Sequence, residues 1–138
     1  MSENTGLNQN KERNVDEDQE KNILFNFLNG KEVDYLNYFS SLEKKVNSWN
    51  VTKNQIRKLY DIVVDFKDNG QKSDIVKALY RLRIQLEYSY RRKVIKKEDF
   101  YKFMKEMIEL VLKDNQEIEK KFQRFMNIFE GIVAFSKD

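Results

Sequence analysis

The chain has 138 residues, of which 40% are hydrophobic and 36% charged, with a net charge of +3 and no histidine, cysteine or proline. Without imidazole or thiol there is no disulfide, no thiolate nucleophile and no histidine base or ligand, so histidine-dependent hydrolysis and zinc chemistry are excluded. No apolar run approaches the roughly 20 residues needed to span a membrane, and residues 1–21 lack the apolar stretch of a signal peptide, so a cytoplasmic protein with no membrane partner is expected.

Residues 1–17 are polar and aperiodic and read as a disordered tail, leaving 18–138 as a single helical-bundle domain. Ile23, Leu24, Phe27 and Leu28 mark a short helix closed by Asn29-Gly30. The next helix is expected from Glu32 to Asn47, with Val33, Leu36, Phe39, Leu42 and Val46 as its core stripe. Trp49 then falls in a connection, as a packed hinge residue or, less simply, a base-stacking one.

Thr52 opens a well-marked helix. Thr52 with Gln55 fits a capping box, and Val51 with Ile56 has the spacing of a hydrophobic staple. Ile56, Leu59, Tyr60 and Val63 form its buried face, and Asn69-Gly70 closes it. Ser73 is placed to cap the following helix, which runs to about Arg92 with the stripe Ile75, Leu79, Leu82 and Leu86. Phe100, Met104, Met107, Ile108 and Val111 mark a helix ending near Lys113. Asp114 with Glu117 is a second capping-box candidate, starting a helix that buries Ile118, Phe122, Phe125, Phe129, Ile132 and Val133. Gly131 inside it costs about 1 kcal/mol against alanine, either tolerated or required by a close helix crossing. The expectation is an all-α, compact bundle of five or six helices.

Charge is unevenly spread. Between Gln71 and Lys97 there are nine Lys or Arg and two acids, a local net charge of +7. Such a run has a plain explanation, because cations suit the last turn of a helix and solvate its outer face. Lys77, Arg81, Gln85 and Arg92 nevertheless form one exposed row, with Arg91, Arg92, Lys93, Lys96 and Lys97 clustered where the helix ends. Arg83 lies nearer the core edge, four residues before Glu87, where the two can pair. Lys53, Arg57 and Lys58 open the preceding helix, where the macrodipole disfavours cations. Two helices presenting cations can line a groove for a phosphate backbone, and Tyr60, Tyr80, Tyr88 and Tyr90 are close enough in sequence to stack bases there, or to pack in the core. The candidate RNA-binding residues are Lys53, Arg57, Lys58, Lys77, Arg81, Arg83, Arg91, Arg92 and Lys96. No catalytic residue, metal site or cofactor is assigned. Val76, Tyr80 and Ile84, and likewise Met126, Ile128 and Phe135, lie off the main stripes, as partner surface or as a second packed side.

Three segments resemble the small subunit of type III-A (Csm) CRISPR effector complexes. They are Val51-Thr52-Lys53-Asn54-Gln55-Ile56-Arg57-Lys58-Leu59-Tyr60, Leu82-Arg83-Ile84-Gln85-Leu86-Glu87-Tyr88 with Arg92, and Phe129-Glu130-Gly131-Ile132-Val133-Ala134-Phe135. The resemblance implies a non-catalytic all-α subunit of a ribonucleoprotein acting in antiviral and antiplasmid defence. Its implied partners are guide RNA and target single-stranded RNA, the backbone and large subunits of the complex, and other copies of itself. Matched position by position, Lys53, Arg57, Arg83 and Arg92 would face RNA. The alternative is a helical adaptor that docks acidic protein partners on the basic strip. A helix-turn-helix DNA binder fits less well, since the cations gather at the C-terminal end of the helix after Gly70, whereas a recognition helix reads bases with its N-terminal end.

Overall fold

A computed structural model describes residues 23–68 and 70–138; the expected tail at 1–17 lies outside the described residues. Helix α1 covers 23–28 and buries Leu24 and Leu28. It ends at Gly30, whose φ of +82° is a left-handed conformation that glycine adopts without penalty.

Helix α2 spans Tyr35–Trp49, started by Asp34, whose carboxylate accepts from the Leu36 N–H at 3.1 Å. It begins three residues later than its hydrophobic pattern predicts, and its buried stripe is Tyr38, Leu42, Val46 and Trp49. Leu36 and Phe39, expected in the core, are 81% and 51% exposed. Tyr38 takes their place because α1 packs on that side, its Phe27 ring 4.7 Å from the Tyr38 ring. Trp49 closes α2 rather than lying in a connection, and packs between Phe100 and Phe103. Asn50 then turns the chain with φ 53°, a left-handed position that asparagine tolerates.

Helix α3, Lys53–Val63, carries the complete capping box: Gln55 N–H to Thr52 Oγ1, and Thr52 N–H to Gln55 Oε1. Val51 and Ile56 are both buried, as the staple requires. The helix does not continue to Gly70. It tightens into a 3₁₀ turn, Val64–Phe66, and Gly70 donates back to the Phe66 carbonyl at 3.1 Å. A β-carbon on Gly70 would meet that carbonyl at 2.6 Å, so the glycine is needed for close approach.

Helix α4 spans Lys72–Arg91 and buries Ile75, Ala78, Leu79, Leu82, Leu86 and Ser89. Its N-cap is Gln71, with no side-chain bond, so Ser73 sits inside the first turn and caps nothing. Helix α5, Glu98–Lys113, buries all five residues of its predicted stripe. Asp114 then organises a loop rather than a capping box. Its Oδ1 accepts from the Gln116 and Glu117 N–H groups, and its other oxygen pairs with Lys121 at 3.2 Å. These contacts hold its carboxyl below the usual range, the Lys121 bond being the largest cause.

Helix α6, Ile118–Phe135, is the central element, packed against α2 on one side and α3, α4 and α5 on the other. That double packing buries Met126 and Ile128, which lie off the main stripe. Gly131 is the point of closest crossing, where a β-carbon would overlap Leu42 Cδ2. The molecule is the expected all-α bundle, with six helices and no strand among the described residues. None of these helices is long and apolar enough to cross a membrane.

Candidate nucleic-acid interface

Helix α4 is the middle of three neighbours, with α3 and α5 against its flanks and α6 beneath. The α5 flank is built from polar contacts. Glu87 accepts from the Tyr101 hydroxyl at 2.6 Å and from Arg91 Nε at 2.9 Å, and pairs with Arg83 Nη1 at 3.0 Å. Arg83 also reaches Glu109 on α5 at 3.7 Å. Tyr90 and Tyr101 stack face to face with centroids 4.0 Å apart. The Tyr101 hydrogen bond, followed by that of Arg91, pulls the Glu87 carboxyl down to about 2.

The opposite flank meets α3, which runs antiparallel and ties itself to the far end of α4. Gln55 Nε2 donates to the Val94 carbonyl at 2.8 Å. One side chain therefore serves the capping box and also holds the α4–α5 connection. Ile95, buried beside it, anchors that connection in the core.

With both flanks and the underside covered, α4 presents one outward face. Val76, Tyr80, Ile84 and Tyr88 follow one another at four-residue spacing and form a single ridge. Tyr80, Ile84 and Tyr88 are 58%, 66% and 51% exposed. Arg92 continues the ridge, with its guanidinium 4.8 Å from the Tyr88 ring centre. Lys77 and Arg81 stand on the adjacent row, and both are exposed. An open depression of about 610 Å³, lined by Gln71, Lys72, Ser73, Val76 and Lys77, begins the ridge.

The α4 helix ends in a Schellman turn. The Val94 N–H reaches the Ser89 carbonyl at 2.9 Å and the Lys93 N–H the Tyr90 carbonyl at 3.0 Å. Lys93 takes the left-handed position with φ 62°, where glycine is the usual occupant. The backbone thus holds a cation at the end of the ridge.

The nine candidate cations fall into three groups. Lys77, Arg81 and Arg92 share the outward face, and Lys58 and Lys96 border it. Lys58 does so because it lies on the same α3 flank as Gln55, and Lys96 because it follows Ile95. These five, and Arg57, have no carboxylate within 4 Å among the described residues. Lys53 and Arg57 lie on the other flank of α3, toward the end of α6. There the Lys53 N–H donates to the Lys137 carbonyl at 2.7 Å, and its ammonium lies 3.7 Å from Asp138. Arg83 and Arg91 form the third group, both paired with Glu87. Arg83 is only 19% exposed, whereas Arg91 is 78% exposed and keeps donors facing solvent.

The tyrosines divide in the same way. Tyr60 sits edge-on to Phe129 and hydrogen-bonds Glu130, which also pairs with Lys67; burial first, then the Glu130 charge, raises its pKa. Tyr90 is held by its stack on Tyr101. Only Tyr80 and Tyr88 of the four are exposed. Sequence periodicity marks Tyr80 and Ile84 as off the core stripe. The left-handed Lys93 has no signature in the sequence, since its environment prescribes glycine.

A second exposed apolar group, Tyr35, Leu36 and Phe39, lies on α2, which α6 separates from α4. Beside it Phe27, Val33, Tyr35, Lys31, Glu32 and Arg124 enclose a pocket of about 430 Å³. Arg124 donates to the Leu28 carbonyl at 3.3 Å there.

The Csm2 Type III-A family model matches residues 32–138, so the chain belongs to that family and is a small subunit of a type III-A CRISPR effector complex. No curated protein and no solved structure matches it.

Proposed function

We propose that this subunit binds the sugar–phosphate backbone of guide and target RNA along the outward face of α4, without catalysis of its own, inside the cytoplasmic effector complex. The observation that carries the reading is the row of exposed cations Lys77, Arg81 and Arg92, with no carboxylate within 4 Å among the described residues. A cation already paired inside the protein gains little from a phosphate. One paired only with solvent releases the counterions condensed on the nucleic acid. Lys58 borders the row from α3, Lys93 and Lys96 extend it past the end of α4, and Arg91 adds its solvent-facing donors. Base pairing between guide and target supplies sequence specificity, so phosphate contacts suffice for the protein.

On this reading, cleavage of target RNA falls to other subunits of the complex. Tyr35, Leu36 and Phe39 offer the larger subunits, or further copies of this chain, an apolar surface remote from the cationic face.

Filter binding of single-stranded RNA over a salt series tests the reading. For single strands the log–log slope is about −0.7 per phosphate neutralised, so four to six contacts give roughly −3 to −4. A flat salt response overturns the proposal. Pull-down of larger subunits that survives nuclease treatment but is lost on charge reversal at Lys77, Arg81 and Arg92, with no RNA affinity, favours the adaptor.

A further inference from the structure

We infer that the same face takes unpaired nucleobases, stacked on Tyr80 and Tyr88, and so engages single-stranded RNA with splayed bases before guide and target pair. The inference rests on the proposed backbone binding and adds what lies between the phosphates.

Phosphate contacts alone require no aromatic surface, yet the ridge between the cations is apolar and aromatic. Tyr80, Ile84 and Tyr88 expose more than half of their surface in a region where α4 otherwise buries every large aliphatic side chain it can. An aromatic face open to water and flanked by Lys77, Arg81 and Arg92 matches an anionic strand whose bases are flat and apolar. Among the described residues Tyr80 makes no ring or hydroxyl contact, and Tyr88 makes only that with Arg92. Tyr60 and Tyr90, in contrast, both spend their faces or hydroxyls on neighbours. The Arg92 guanidinium lies over the Tyr88 ring, which steadies that ring and leaves its remaining surface to a ligand.

Spacing argues for splayed bases. Tyr80 and Tyr88 are eight residues apart, about 12 Å along the helix axis. Stacked bases lie about 3.4 Å apart along a strand, so two neighbours in a stack cannot reach both rings. The rings engage bases pulled out of the stack, with Ile84 packing against the nucleotide between. A duplex keeps its base faces stacked inside and offers this ridge phosphates, 2′-hydroxyls and base edges, but no face to stack on a tyrosine.

The test uses the full chain and three probes of equal length: oligouridylate, an abasic ribose-phosphate oligomer and an RNA duplex. Oligouridylate is expected to bind tightest. Tyr80→Ala and Tyr88→Ala each weaken it by roughly 5- to 100-fold, leave the abasic oligomer unaffected and leave the thermal melt unchanged, while Tyr80→Phe and Tyr88→Phe restore binding. Equal affinity for oligouridylate and the abasic oligomer, both lost on charge reversal of Arg81 and Arg92, overturns the stacking and leaves the backbone reading intact. If no probe binds, both readings fall together. If the alanine variants spare RNA affinity but dissolve self-association in sedimentation, the ridge serves a second copy and the inference is wrong.

Discussion

Gly131 of α6 and Leu42 of α2 meet where the two helices cross, so closely that any β-carbon on the glycine would overlap Leu42 Cδ2. Leu42 is fully buried and cannot swing away without disturbing its neighbours. Gly131→Ala would gain up to about 1 kcal/mol in helix propensity. Overpacking at the crossing costs about 1–3 kcal/mol, so the variant is expected to be less stable in urea denaturation. Leu42→Ala in the same chain opens the space that the new methyl needs. The double variant should therefore lose less than the sum of the two single losses.

Gln55 joins two structures that are far apart in sequence, the α3 cap and the α4–α5 connection. Thr52→Ala removes the cap alone and is expected to cost about 1 kcal/mol. Gln55→Ala also frees the Val94 carbonyl. Amide hydrogen exchange over Val94–Lys97 should accelerate in Gln55→Ala and remain at the wild-type rate in Thr52→Ala. Equal exchange in both variants would show that Ile95 holds the connection unaided.

Where sequence pattern decided the fold and where it did not can be seen at α2. Tyr35, Leu36, Tyr38 and Phe39 supply two overlapping stripes that both lead into Leu42 and Val46, and spacing alone cannot choose between them. The choice comes from α1, whose Phe27 ring packs on Tyr38. Met126 and Ile128 were ambiguous for a related reason, because one helix does not reveal that it will be covered on two sides. The capping box, by contrast, is local chemistry between Thr52 and Gln55, and it forms as the residues dictate. The cations follow the same rule. The row Lys77, Arg81 and Arg92 is legible from helix periodicity. The pairing of Arg83 with Glu109 depends on where α5 lies, which no local pattern states.

Arg81 and Arg83 are two residues apart and should respond oppositely to charge reversal. Arg81→Glu is expected to weaken RNA binding, and to reduce the salt slope by about 0.7 for the phosphate lost, with thermal stability unchanged. Arg83→Glu places a third carboxylate between Glu87 and Glu109. It should cost on the order of 1–2 kcal/mol of stability. Parallel melts and binding isotherms separate the two effects.

Glu87 makes stability depend on acid. Its carboxyl lies near 2 in the folded protein, lowered first by the Tyr101 hydroxyl, against an ordinary 4.5. A depressed folded value means that the ionised group stabilises the fold above about 4.5 and that this contribution drains away as pH falls toward about 2. Glu87→Gln should therefore melt below the wild type at pH 7, and the two melting temperatures should converge between those limits. A constant gap down to the lower limit would mean that the advantage of Glu87 over glutamine does not come from the carboxylate charge.

Lys93 sets stability against charge at a single backbone position. Its φ of 62° is one that an L side chain occupies at a cost of roughly 1–2 kcal/mol, and the Schellman hydrogen bonds around it would suit glycine at least as well. Lys93→Gly should accordingly raise stability by about 1 kcal/mol. Glycine has no ammonium to offer, so the same variant is expected to bind RNA more weakly and with a shallower salt slope. Lys93→Asn, which tolerates the left-handed conformation, should lose the same affinity with a smaller gain in stability. A glycine variant that gained stability and kept full RNA affinity would show that Lys93 contributes nothing to the cationic row, leaving its strain without a functional return.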